Sequence, residues 1–343
     1  MFKSVDTPSQ QKQDIIQLNH AGLVANRVAA AHLFEDYASR RSENTLRNQR
    51  ACLSLFADYL GSVQAATLDG HMLMTDPDVW HGVTWGLVEG FVKWQLKEGY
   101  SVASVNNRLS AVKVYAKLAS KAGAISAENW VHIKAVSGYS QKEAKRVNER
   151  RETTRRGHKK ATHVSLTPDL AEQLKDQPDT PVGRRDAFIM CLLLDHGLRV
   201  GEVEALAVDN FDRQRGEMVF YRPKVDKTQT HKLSADTART LNAYMEDAPD
   251  NGAILMGSRK GGRLHGTMSA HSISQRVRTL GKRIGIISLS AHDCRHYWAT
   301  DAARNGTDAF ILRDAGGWSS LAMPSRYVEA ARVANQGVRL TAQ

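Results

Sequence analysis

The chain has 343 residues, of which 42% are hydrophobic, enough for about two domains with cores of their own. No apolar run approaches the roughly 18 residues of a membrane span, and no apolar segment behind the N-terminus reads as a signal peptide, so no membrane association is expected. The net charge of +11 points to a polyanionic partner such as nucleic acid, and three scattered cysteines (Cys52, Cys191, Cys294) form no disulfide framework, which fits a reducing, cytoplasmic setting.

Residues 1–22 are polar and Gln-rich and read as a frayed, flexible tail. From Leu23 the pattern turns helical, with Val28, His32, Leu33 and Tyr37 on one face. SENTLRNQRACLSLFADYL opens with a cap-like Ser42 or Asn44 and continues through Leu46, Leu53, Phe56, Ala57 and Leu60 at helical spacing. TWGLVEGFVKWQLKEG and SVASVNNRLSAVKVYAKLASKAG predict two more helices ending at Gly99 and Gly123, and SAENWVHIKAVSGYSQ begins another. Residues 23–140 are therefore expected to form an all-helical module. Its polar faces carry Arg47, Arg50, Arg108 and Lys113 among other cations, which suit either a solvated surface or a DNA-facing one. Between Lys142 and Lys160 nine basic residues face three acidic ones, a net +6 that is over half of the whole excess. Residues 141–160, with Arg155, Arg156, Lys159 and Lys160, read as a basic linker between two apolar-rich regions.

Residues 161–343 change character. ATHVSLT suggests a short strand ahead of a helix start at Thr167-Pro168-Asp169. RRDAFIMCLLLDHG predicts a buried helix, EMVFYRPKVDKTQTHKLSA two strands joined by a polar turn, and the remainder is helical in pattern. The expected fold is mainly α with a small antiparallel β-sheet in the C-terminal domain.

Four segments carry candidate chemistry. In GLRVGEVEAL, Arg199 and Glu202 share a helical face, which alone is a surface ion pair at a helix start. Lys224 and Lys227 flank or occupy the hairpin turn, where lysine usually just solubilises an edge. In HDCRHYWAT, His292 and Arg295 are three apart, while Cys294 falls on the other side and packs in the core. No CxxC or HExxH accompanies these histidines, so no metal site is expected; a guanidinium beside a histidine suits a phosphate instead. In AGGWSSLAMPSRYVEA, Trp318 follows a double glycine and Tyr327 comes nine residues later, each on its own an ordinary packing residue.

Taken in order, these pieces resemble the tyrosine recombinase (phage integrase) family, of the Cre/Xer-like kind. GLRVGEV resembles the family's first arginine motif, SAHDCRHYWATDAARNGTDAFILRDAGGW its second arginine box, and SRYVEA its nucleophile segment. The resemblance is specific over about Asp186–Ala330; the N-terminal half matches only in type, as a helical core-binding domain ahead of a basic linker.

The resemblance implies a site-specific DNA recombinase that needs no cofactor and works as a homotetramer on two duplexes through a Holliday junction, for integration, excision or resolution. Tyr327 would attack a phosphodiester to give a 3′-phosphotyrosine, Arg199 and Arg295 would clamp the phosphate, and His292 and Trp318 would add hydrogen bonds. Lys227 would protonate the leaving 5′-oxygen, with Lys224 as its rival. Glu202, Asp293 and His296 would support the site. Trp318 stands where most members have histidine, which puts more acid–base work on His292 and Lys227. The short N-terminal tail leads one to expect action on a short specific core site in double-stranded DNA. Two alternatives stay open: a type IB topoisomerase-like relaxing enzyme, and a catalytically inactive DNA-binding architectural protein.

Overall fold

The computed structural model describes residues 8–150, 164–259 and 261–331. The chain divides into two compact units, Met1–Lys159 and Lys160–Gln343.

The first unit is helical throughout its described residues: α1 (Pro8–Ala31), α2 (Leu33–Ser39), α3 (Glu43–Ser62), α4 (Met72–Thr75), α5 (Trp85–Lys97), α6 (Val102–Ala122), α7 (Ala127–Ala135) and α8 (Gln141–Glu149). Serine sets four of these eight helix starts. The hydroxyls of Ser42, Ser101, Ser126 and Ser140 each accept a backbone N–H from the first turn of the helix that follows. Gly123 ends α6 in the left-handed region, where a side chain would be strained. Leu53, Phe56 and Leu60 of α3 meet Phe91 of α5 and Val112 and Tyr115 of α6 in one core, and buried Trp80 donates its indole N–H to the Leu73 carbonyl.

Two stretches depart from expectation here. The polar tail is helical from Pro8, and residues 12–29 of α1 are exposed. Good helix formers such as Gln, Leu and Ala suffice for a helix, but with no buried face there is no apolar stripe to announce it. The start of the basic stretch is helical too, because Ser140 and Glu143 close a capping box at the head of α8. Arg155, Arg156, Lys159 and Lys160 lie outside the described residues.

The second unit contains α9 (Pro168–Lys175), α10 (Pro181–Leu194), α11 (Val200–Glu204), β1 (Phe211–Asp212), β2 (Glu217–Arg222), β3 (Lys227–Lys232), α12 (Ala235–Tyr244), β4 (Met256–Ser258), β5 (Leu264–Thr267), α13 (Ala270–Arg283), α14 (Ala291–Arg304), α15 (Ala309–Gly316) and α16 (Ala322–Ala331). Strands β1, β2 and β3 form one antiparallel sheet and β4 pairs with β5 in a second. The chain is thus mainly α with small antiparallel sheets, as its pattern suggested. Strands β1, β4 and β5, of two to four residues, were too short to show an alternation. Residues 164–167 form no strand; the Val164 N–H goes to the Asp293 carboxylate at 3.0 Å, so a side chain takes the place of a strand partner.

Helix α10 is buried on all sides from Asp186 to Leu194 and forms the axis of the main core, with Val203, Met218, Phe220, Leu241 and Cys294 around it. A separate, smaller cluster joins Ala299 and Ala303 of α14, Leu312 of α15 and Tyr327 of α16, with Trp298 and Trp318 packed against it. No described helix is long and apolar enough to cross a membrane.

Candidate active site

The site begins where α10 ends. Gly197 turns the chain with φ +58, and Arg199 becomes the N-cap of α11. The expected Arg199–Glu202 pairing is a reciprocal cap. The Arg199 backbone N–H and its Nη1 both donate to the Glu202 carboxylate, each at 2.8 Å. Its Nη2 donates to the Gly317 carbonyl at 3.0 Å.

Glu202 has a second cationic partner that the sequence pattern did not reveal. Arg222, at the end of β2, is 0% exposed. It donates through Nη1 to Glu202 at 2.9 Å and to the Gly316 carbonyl at 3.1 Å, through Nη2 to the Ala315 carbonyl at 2.8 Å, and through Nε to Gln229. The available signal was phase: Met218, Phe220 and Arg222 occupy the buried face of an alternating strand.

Arg295 completes the group from α14. It is 4% exposed and donates to the Gly197 carbonyl at 2.5 Å and the Gly316 carbonyl at 2.6 Å, with its guanidinium 4.2 Å from the centre of the Trp318 ring. Burial, with Arg199 and Arg222 close by, pushes its pKa down to about 9, so it stays charged at neutral pH. Three guanidiniums gather here with one carboxylate, that of Glu202, which pairs with Arg199 and Arg222. The positive excess in a low-dielectric pocket suits a bound anion, and a guanidinium fork suits a phosphate.

The glycines are part of this construction. A Cβ on Gly317, whose φ is +59, would lie 2.5 Å from the Arg222 side chain, and one on Gly316 would overlap the Trp318 ring. Only bare backbone lets these carbonyls reach the arginines.

Helix α14 supplies the remaining groups. Asp293 is buried and caps its own helix, accepting from the Ser290 N–H at 2.8 Å and the Ser290 hydroxyl at 2.6 Å. His292 and His296 stand one turn apart with their Nε2 atoms 3.0 Å from each other. The Nδ1 of His296 lies 2.7 Å from the Tyr327 hydroxyl on α16. The Trp318 ring centre is 6.0 Å from that of Tyr327 and 6.1 Å from that of Trp298, the second pair nearly parallel. Burial raises the Tyr327 pKa, and the nearby Arg295 charge opposes the rise.

The two lysines differ in placement. Lys227 pairs with Arg222 across the hairpin, and paired residues project to the same face of a sheet, here the face that carries Arg222 and Gln229. Lys224 lies in the connecting turn, and both lysines are exposed. In the first unit Arg47 pairs with Glu43, and Arg50 is exposed. Arg108 donates to Gln95 and stacks on Tyr100, and Lys113 donates to the carbonyls of Lys134 and Val136 at the end of α7, so these two are engaged inside the unit. Among the described residues no group of three or more His, Cys, Asp or Glu is placed to hold a metal ion.

A tyrosine beside an arginine-lined pocket, on a mostly helical fold, is an arrangement suited to a phosphate. Residues 165–333 match the phage integrase family model. The second unit therefore carries a phage integrase family domain, and the curated relatives that match it are tyrosine recombinases. The chain is 30% identical over 165 residues to tyrosine recombinase XerD of Neisseria meningitidis serogroup B, covering 47% of this chain and 55% of that protein. It is 25% identical over 233 residues to tyrosine recombinase XerA of Pyrococcus horikoshii, covering 68% and 71%. The match to the first of these spans little more than half of the relative's length. Among solved structures, the Tn1549 transposon integrase in complex with transposon right end DNA shares the fold, with a TM-score of 0.59 at 15% identity over 87% of this chain and 94% of that one.

Proposed function

We propose that the chain is a site-specific DNA recombinase that cleaves and rejoins strands by way of a 3′-phosphotyrosine. The observation that carries this reading is the placement of the Tyr327 hydroxyl on the same small cluster as Trp318, which stacks on Arg295. Tyr327 attacks the scissile phosphate. Arg199 and Arg295, held from behind by carbonyls, present their remaining N–H groups to the non-bridging oxygens as charge grows there. His292 and Trp318 hydrogen-bond the same phosphate, and Lys227 protonates the leaving 5′-oxygen. One phosphodiester is exchanged for one phosphotyrosine, so no external energy source is required. Assembly is a homotetramer on two duplexes that share a short core site, with strands exchanged through a Holliday junction. The Tn1549 integrase bound to transposon DNA and the lambda integrase dimer bound to a core site support double-stranded DNA as the partner.

The test works whatever the target sequence is. The protein is incubated with fragments of its source genome, denatured with detergent, and examined for DNA-linked protein, with Tyr327→Phe in parallel. Adducts in the wild type alone are the expected result, and sequencing the trapped DNA locates the site. Adducts in both overturn the choice of tyrosine. Tight binding with no adduct in either favours the architectural protein. Relaxation of supercoiled plasmid without strand exchange between two sites favours the topoisomerase-like enzyme.

A further inference from the structure

We propose that Tyr327 passes its phenolic proton to His296, and that His296 hands a proton on to His292, so that two histidines form a relay behind the nucleophile. This rests on the recombinase reading above and adds the route of the nucleophile's proton. The geometry carries it. His292 and His296 are four residues apart on α14 and therefore share one helical face. Helix α16 packs on that helix and brings the Tyr327 hydroxyl to 2.7 Å from Nδ1 of His296, while Nε2 of His296 is 3.0 Å from Nε2 of His292.

The other groups at the phenol cannot accept its proton. The Arg295 guanidinium and the Trp318 indole N–H are donors only. The lysine is required in its protonated form at the leaving oxygen. Burial of Tyr327 also makes spontaneous loss of its proton harder, so an acceptor in contact has something to do. His292 is the exposed end of the chain and His296 the half-buried middle, which gives the relay an outlet to solvent.

The step balances as follows. In the resting enzyme His296 carries its hydrogen on Nε2 and His292 carries its own on Nδ1. As the Tyr327 oxygen bonds to phosphorus, its proton moves to Nδ1 of His296, and the Nε2 proton of His296 moves to Nε2 of His292, which becomes the imidazolium. The phosphorus–O5′ bond breaks and the leaving oxygen takes a proton from the lysine. Religation runs the same transfers backwards.

The test is single-turnover adduct formation on a duplex copied from the DNA trapped by the wild type. His296→Ala is expected to slow adduct formation about a hundredfold or more with DNA affinity unchanged. Added imidazole restores much of the rate, and substituted imidazoles restore it in the order of their basicity. His296→Gln keeps volume and hydrogen bonding but cannot shuttle a proton, so it stays slow; it also covers the case in which alanine unfolds the helix. Wild-type rates in both variants, or slow variants that imidazole does not rescue, overturn the relay. That outcome is separable from failure of the recombinase reading, in which Tyr327→Phe itself still forms adducts.

Discussion

Glu202 is shared by two arginines: Nη1 of Arg199 lies 2.8 Å from one of its carboxylate oxygens and Nη1 of Arg222 lies 2.9 Å from the other. Removing the carboxylate leaves Arg222 buried without its counter-ion. Glu202→Ala is therefore expected to destabilise the second unit by about 3–5 kcal/mol, read by urea denaturation. Glu202→Gln retains a hydrogen-bond acceptor and costs less stability, yet both variants disturb the set of Arg199 and slow adduct formation. A Glu202→Ala protein as stable as the wild type would mean that the carbonyls and Gln229 suffice to hold Arg222.

The hairpin lysines are separable by the chemistry of the leaving group. Lys227→Ala is expected to slow cleavage of ordinary DNA by about a hundredfold or more. A duplex with sulfur in place of the 5′-bridging oxygen needs no general acid, so the same variant cleaves it at close to the wild-type rate. Lys224→Ala leaves both rates nearly unchanged. The opposite pattern assigns the acid to the turn residue.

Acid should loosen the second unit through a pair of buried histidines, of which His231 lies beside Arg222 and Ala315. His196 and His231, with ring centres 5.8 Å apart, are both held by burial at a pKa of about 4 against an ordinary 6.5. Between these values the unfolded chain binds more protons than the folded one. Stability is therefore complete above about pH 6.5 and falls as pH drops towards 4. The expected loss is on the order of 2–3 kcal/mol per histidine, measured by denaturation at pH 7 and pH 4.5. His231→Gln removes about half of the slope.

Cations that contact phosphate and cations that hold the fold should respond differently to salt. Replacing Arg155, Arg156, Lys159 and Lys160 with glutamine is expected to lower the slope of log K against log salt for DNA binding, by up to about 0.9 per lost contact. Arg108→Ala is expected to leave the slope alone and reduce stability, because Arg108 donates to buried Gln95 and covers Tyr100. A slope untouched by the four glutamines would remove that stretch from the DNA surface.

What the sequence made legible was local. Arg199 with Glu202, and His292 with Arg295, are three residues apart, so spacing alone put each pair within one helical turn, whereas His296 entered only through the family resemblance. Arg222 was illegible for the opposite reason. Its burial depends on the β2–β3 register and on carbonyls at Ala315 and Gly316, more than ninety positions away. The contact between His296 and Tyr327 likewise depends on how α16 packs against α14, which no spacing reveals. Helix α1 hid because residues 12–29 are exposed and carry no apolar stripe, and the segment from Val164 misled because a β-like composition met a carboxylate in place of a neighbouring strand.

Tyr327 is packed in a cluster of its own, apart from the core around α10. Tyr327 therefore takes its place from this smaller cluster with α14 and α15 rather than from the main core. A local opening of helix α16 from α14 and α15 is expected ahead of global unfolding, and it would carry Tyr327 away from the arginines. The amides of α16 should exchange with deuterium well before those of α10. Under the proposed function, cleavage competence would then be a matter of docking, switchable by whatever grips or releases one short helix while the arginine pocket stays formed.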